Sequence, residues 1–218
     1  MNKAKNFNEF QDALKEAAMP GLNIVYADKD DNIMFIDNGQ FPKKDKHYDW
    51  WHLLPGDTST TLWKANDYYP YDSLAKVINP KCGYVFNNNN TPFNCTAKED
   101  NLNRNTHPLK DFYFAYNDNR SLRTSYLFAH SGKLSYDDFK AIKYDQQFMN
   151  PAYNYAMVNI EEVLHLDTKK YPQIKEGMNV LRKWNRKADV NNKQATMVAI
   201  IINNIIKKII DEGNFPAV

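Results

Sequence analysis

The sequence predicts an α+β fold, and three observations carry that prediction. Runs rich in β-branched and aromatic residues fall early, at 22–28, 32–39 and 82–86. The character changes from about residue 120, and apolar residues at helical spacing follow in the helices expected from Ser135 onward. Strands and helices do not alternate, so a parallel βαβ arrangement is excluded. The division falls near residue 118. Residues 1–118 form a β-rich segment with a leading helix and a long aromatic loop, and residues 119–218 form a helical segment. Together they read as one incomplete domain of a larger chain.

The elements follow in order. Phe7, Phe10, Leu14, Ala17 and Ala18 lie at helical spacing, and Pro20-Gly21 closes that helix. LNIVYAD (22–28) and NIMFIDNG (32–39), joined by Lys29-Asp30-Asp31, predict a hairpin. The first of these runs alternates weakly, so it expects cover on both faces. Residues 40–72 hold few periodic signals but many large rings (Trp50, Trp51, Trp63, Tyr68, Tyr69, Tyr71), which predicts an ordered excursion packed by its own aromatics. CGYVF (82–86) is the predicted third strand. Ser135 with Asp138 is a capping-box-like start for a helix to about Phe148. Further helices are expected at about 152–165, 172–184 and 194–212. The last carries Val198, Ile201, Ile202, Ile205, Ile206 and Ile209 and is stopped by Gly213.

Composition narrows the function. The 218 residues carry 28 basic and 26 acidic side chains, a net charge of +2, and neither sign is concentrated. No electrostatic footprint for nucleic acid or an anionic membrane is present. Asn203, Asn204, Lys207 and Lys208 interrupt the most apolar helical stretch, so it is no membrane span. The opening residues read as an amphipathic helix rather than as an apolar export signal. Mean hydropathy is -0.70, yet 14% aromatic residues argue against disorder. Five scattered histidines (His47, His52, His107, His130, His165), without CxxC or HxxxH spacing, predict no metal site. Cys82 and Cys95 are either a disulfide pinning the segment between them or two free thiols.

No nucleophile elbow, phosphate-binding glycine loop or HExxH motif occurs. The carboxylate pairs Asp137-Asp138 and Glu161-Glu162 lie on polar helix faces and are expected to be solvated. What stands out is GYVFNNNNTPFN (83–94), an apolar run ending in four asparagines. Asparagine is a good turn former, which gives one reading. The other is a neutral side-chain amide aimed at a developing oxyanion, polarising a carbonyl without binding a carboxylate product tightly. The rings of residues 48–71 leave a different function open: a non-catalytic module that binds a sugar or a protein.

The order of these segments resembles the β subunit of the penicillin acylase family of N-terminal-nucleophile (Ntn) amidases. FNEFQDALKEAAMPGLN is similar to the helix leading into that family's N-x-x-Y-A-D-x-x-G-N-I hairpin, here Asn23 to Ile33 with Asp31 where glycine is usual. NGQFPKK (38–44) resembles G-x-x-P-x-R, with Lys44 for arginine. LLPGD (53–57) and Trp63 resemble its P-G and W-x-G stretch, with Ala65 for the second glycine. INPKCGYVFNNNNTP (78–92) is similar to N-P-x-x-G-x-x-x-x-x-N-N-x-P. Arg120 with Tyr126-Leu-Phe resembles R-x-x-R-I-x-x-L-L, with Tyr126 for the second arginine, and Leu181 to Asn185 resembles the helical part.

The resemblance implies partial αββα Ntn-hydrolase sheet elements in the first half and a helical second half. It implies an amidase that hydrolyses a linear amide (a penicillin, an acyl-homoserine lactone or a related N-acyl compound) through an acyl-enzyme. Asn89 then matches the oxyanion-hole asparagine, Arg120 the arginine that orients the site, and Leu22 an apolar residue on the acyl-pocket wall. No nucleophile is expected within this chain, which resembles the middle of a β subunit. The implied partners are an upstream nucleophile segment and the α subunit of the same precursor, with a small N-acyl substrate. No cofactor is implied, though a structural calcium in the full enzyme stays open.

Overall fold

The computed structural model describes residues 1–113, 117–150 and 158–213. They fall into two compact units, divided between residues 115 and 116.

The first unit opens with α1 (Phe7–Lys15), capped by the Asn6 side chain, which accepts the Glu9 N–H. It ends earlier than its apolar spacing predicts, because Ala17 turns to φ +46°. A hairpin of β1 (Leu22–Ala27) and β2 (Ile33–Asn38) follows, antiparallel, with Ile24 opposite Ile36 and Val25 opposite Phe35. Asp28 closes its turn, its Oδ1 accepting the Asp30 and Asn32 N–H groups.

The third strand is not CGYVF. β3 (Lys76–Ile78) pairs with β2 instead, giving the order β1-β2-β3. The run at 82–86 fails as a strand for two physical reasons. Gly83 sits at φ +78°, which breaks the extended backbone. The backbone polar groups that follow are also satisfied elsewhere: the Tyr84 carbonyl accepts the Thr96 hydroxyl and the Phe86 N–H donates to the Cys95 carbonyl. β3 is short because Asn79, at φ +48°, takes over the pairing; its side-chain oxygen accepts the Ile33 N–H at 2.8 Å.

Strand alternation divides the core. Met34 and Ile36 face one way, toward Leu14, Leu74 and Leu109, while Phe35 faces the other, with Val77 and Cys95. β2 is buried on both faces. β1 lies at the sheet edge, with Leu22 45% and Val25 47% exposed, so its expected two-sided cover is absent among the described residues.

The second unit is helical. α2 (Asn119–Ala129) was not anticipated by periodicity; the Asp118 side chain caps it by accepting the Ser121 N–H at 2.8 Å. α3 (Tyr136–Lys143) begins with the predicted Ser135–Asp138 capping box but stops well short of Phe148. There Gln147 and Lys187 form a β-bridge, and the Phe148 N–H donates to the Arg186 carbonyl. Residues 152–157 of the expected 152–165 helix lie outside the described residues, and α4 (Ile160–Leu164) is the helical part among those described. The expected 172–184 helix is a 3-10 turn (Pro172–Ile174) leading into α5 (Lys175–Leu181). α6 (Lys193–Asp211) matches its apolar stripe, and Gly213 at φ +67° ends it. These helices enclose Val163, Leu164, Met178, Leu181, Trp184, Val198 and Ile202. Glu161 is not a solvated surface carboxylate: Arg186 grips it at 2.7 and 3.2 Å.

Candidate active site

The asparagine run forms a loop in which side chains replace a ladder. Asn87 Oδ1 accepts the Asn89 N–H at 2.9 Å, and Asn90 Oδ1 accepts the Asn88 N–H at 2.6 Å. The Asx turn at Asn87, with the reverse bond from the Asn88 N–H to Asn90, leaves Asn89 at φ +61°, a conformation asparagine tolerates better than most residues. Asn90 is the anchor. It is only 6% exposed, and its Nδ2 donates to the Thr91 and Asn94 carbonyls at 3.2 and 2.7 Å. Its neighbour Asn89 is exposed.

The loop is tied to the sheet at β1. Asn23 Nδ2 donates to Asn87 Oδ1 at 3.1 Å and lies 3.5 Å from the Asn90 carbonyl. Beyond the loop, Thr91 caps a 3-10 turn over Pro92–Asn94 and Pro92 is buried. The Phe93 ring meets Tyr113 edge-on at 5.7 Å and His107 at 5.4 Å, with the Arg104 guanidinium above it at 5.3 Å.

Half-buried ionisable groups lie beside this support. Burial raises the half-buried Asp37 carboxyl above its ordinary value, and burial together with the nearby Asp37 raises the Tyr113 phenol. Burial lowers His107, with a smaller push from Lys76. Both cysteines are free: Cys82 Sγ lies 3.0 Å from the Thr96 hydroxyl, while buried Cys95 donates to the Pro92 carbonyl. Burial pushes the Cys95 thiol up to about 12, which makes it an inert structural thiol.

Leu22 begins β1 opposite Asn38. Successive strand side chains alternate, so it faces the other side of the sheet from Asn23. Asn38 lines a cavity of about 330 Å³ together with Ala13, Leu14, Ala18 and Met19. Arg120 lies in the second unit, in the first turn of α2, where its Nε donates to Asp118 at 3.1 Å. Asn89 and Leu22 thus share the first unit, joined through β1, and Arg120 belongs to the other.

The aromatic excursion packs partly on its own rings and partly on the rest of the unit, with Trp51 45% and Trp63 53% exposed. Trp50 contacts Tyr48 at 6.5 Å and Trp63 at 6.3 Å, and the Trp51 indole donates to the Asp111 carbonyl. Among the described residues no group of three or more His, Cys, Asp or Glu side chains could hold a metal ion, and no helix is long and apolar enough to cross a membrane.

Residues 1–215 match the sequence pattern of the penicillin amidase family. The chain belongs to that family. Family members are hydrolases of the acylase type, and the similar proteins found are bacterial. Penicillin G acylase from Escherichia coli is 36% identical over 91 residues, 41% of this chain and 10% of the relative. A thermostable penicillin G acylase from Alcaligenes faecalis shares the fold at a TM-score of 0.57 and 24% identity, over 87% of this chain and 31% of that one. The chain therefore spans about a tenth of the curated relative and about a third of the solved one. Sequence reasoning missed Asn23 as a support, because its partner Asn87 lies 64 residues away and no local pattern marks the pair.

Proposed function

We propose that this chain is the oxyanion-bearing part of an Ntn-type amidohydrolase that cleaves small N-acyl compounds. The observation that carries this reading is the loop itself: an exposed Asn89 at the tip of a turn that the Asn87 and Asn90 side chains hold. Membership of the amidase family supplies the chemistry.

In that chemistry an N-terminal serine, outside residues 1–218, attacks the substrate carbonyl, its own α-amino group taking the proton. The carbonyl π electrons move onto oxygen, and the Asn89 amide stabilises that charge. Collapse expels the amine with a proton from the base and leaves an acyl-enzyme, which water hydrolyses by the same two steps. Because the amide is neutral, it favours the transition state over the carboxylate product. Arg120 orients the site, and Leu22 forms part of the wall for the acyl group. The sheet elements are one part of an αββα sandwich, with the nucleophile segment and the α subunit supplying the rest. No cofactor is required, and residues 1–218 alone turn nothing over.

The test is Asn89→Ala in the whole processed enzyme, assayed on acyl p-nitroanilides. A loss of on the order of 10²–10³ in kcat, with KM little changed, is expected. Full activity in that variant would overturn the reading.

A further inference from the structure

We propose that Asn23 and Asn87 are positioning residues for the Asn89 amide, forming a relay that fastens the loop tip to strand β1. This role presupposes the oxyanion part assigned to Asn89. A left-handed residue persists only where its surroundings hold it, and the Asn87 side-chain oxygen is part of that hold here. Asn87 Oδ1 accepts the Asn89 N–H at 2.9 Å and, at the same time, Asn23 Nδ2 at 3.1 Å. The Asn23 amide also reaches the Asn90 carbonyl at 3.5 Å, so one side chain bonds to the loop on both sides of Asn89.

The anchor matters because of where it stands. An Asx turn fixes the shape of a loop but not its place, and a loop held only by its own amides can pivot as a body. Asn23 sits on a six-residue strand paired in register with β2, whose Met34, Phe35 and Ile36 are fully buried. That pairing ties the loop to the sheet rather than to another loop. Oxyanion donors must be held to within about half an ångström, which a strand can supply and a free loop cannot. Asn23 and Asn87 touch Asn89 or its turn and no reacting atom, so their effect is on kcat through placement.

The two roles are chemically unequal. Asn23 must donate, and Asn87 must accept twice. Asn23→Leu keeps the size and removes the donor; Asn87→Ala removes the acceptor. Both are made in the whole processed enzyme, alone, together and with Asn89→Ala. Active sites are counted by titration with a sulfonyl fluoride, which labels the assembled nucleophile. Each single variant is expected to lose about 10- to 100-fold in kcat per titrated site, with KM within about twofold. The pair should lose no more than either alone, and neither should slow the Asn89→Ala enzyme further. Unchanged kcat per site, a loss confined to the number of titratable sites, or the same loss in the Asn89→Ala background overturns the positioning role while leaving the oxyanion assignment standing. A fully active Asn89→Ala enzyme overturns both.

Discussion

Residues 87–95 and residues 45–67 are both irregular stretches of the first unit with a skewed composition, one rich in amides and one in rings. They are held in opposite ways. The asparagine loop is a directional network, with amide contacts of 2.6–3.1 Å centred on Asn87 and Asn90. The aromatic excursion is closed at its base by the Pro42–Tyr68 bridge and the Lys43–Asp67 ion pair, then filled by rings 6.3–6.5 Å apart. Its tip exposes Leu53 fully and Leu62 by 72%. Hydrogen bonds weaken steeply with angle and distance, so they specify where an atom sits. Ring contacts are broad and tolerate sliding. The amide loop therefore suits a job that needs placement, and the aromatic one suits filling space.

The sharpest test of that contrast is Cys95, which closes the asparagine segment. Its thiol is raised from 9.0 to about 12, so native alkylation at pH 8 should run on the order of a thousandfold slower than after unfolding. Timed iodoacetamide labelling with peptide mapping reads this, and fast native labelling would show the segment open. Next is Asn90→Ala. Removing that anchor strands the Asn88 N–H and the Asn94 carbonyl, at a cost of about 1–3 kcal/mol in urea unfolding. A negligible change would mean that the loop stands on its flanks alone.

Asp37 gives a smaller and pH-dependent effect. Burial raises its carboxyl above 3.8 in the folded state, so the folded chain holds that proton more tightly than the unfolded chain does. Its contribution to stability therefore falls as pH rises from 3.8 through the raised value. Asp37→Asn should gain stability relative to the parent at pH 7 and lose that advantage near pH 3.5, by comparison of urea midpoints. An advantage equal at both pH values would contradict the burial account. Last comes Leu53→Ser at the aromatic tip, expected within about 0.5 kcal/mol. A larger loss would show that the excursion is not the loosely specified partner in this comparison.

Several of these features were legible in advance. The hairpin and its turn followed from two β-rich runs around a polar connection, and α6 with its Gly213 stop followed from a period of 3.6 and a residue free to turn left-handed. The Ser135–Asp138 box could be seen because capping is a contact between near neighbours. Asn89 is set apart from its three neighbours only by the family resemblance, not by any local pattern. The exchange of CGYVF for Lys76–Ile78 was not legible. An apolar run shows that a segment is buried, but not whether its backbone pairs with a strand or with Thr96 and Cys95 across a turn.

By itself the chain's order of residues determined what depends on near neighbours and on period: the 22–38 hairpin, the apolar stripes of α1 and α6, the Ser135–Asp138 cap and the family signature. The tertiary structure alone decided that Asn23, 64 residues before Asn87, is its hydrogen-bond partner, and that Phe35 and Cys95 share one face of the sheet. Those pairings join residues far apart in the chain. The loop-closure entropy that opposes each of them is overcome only when many such contacts form together.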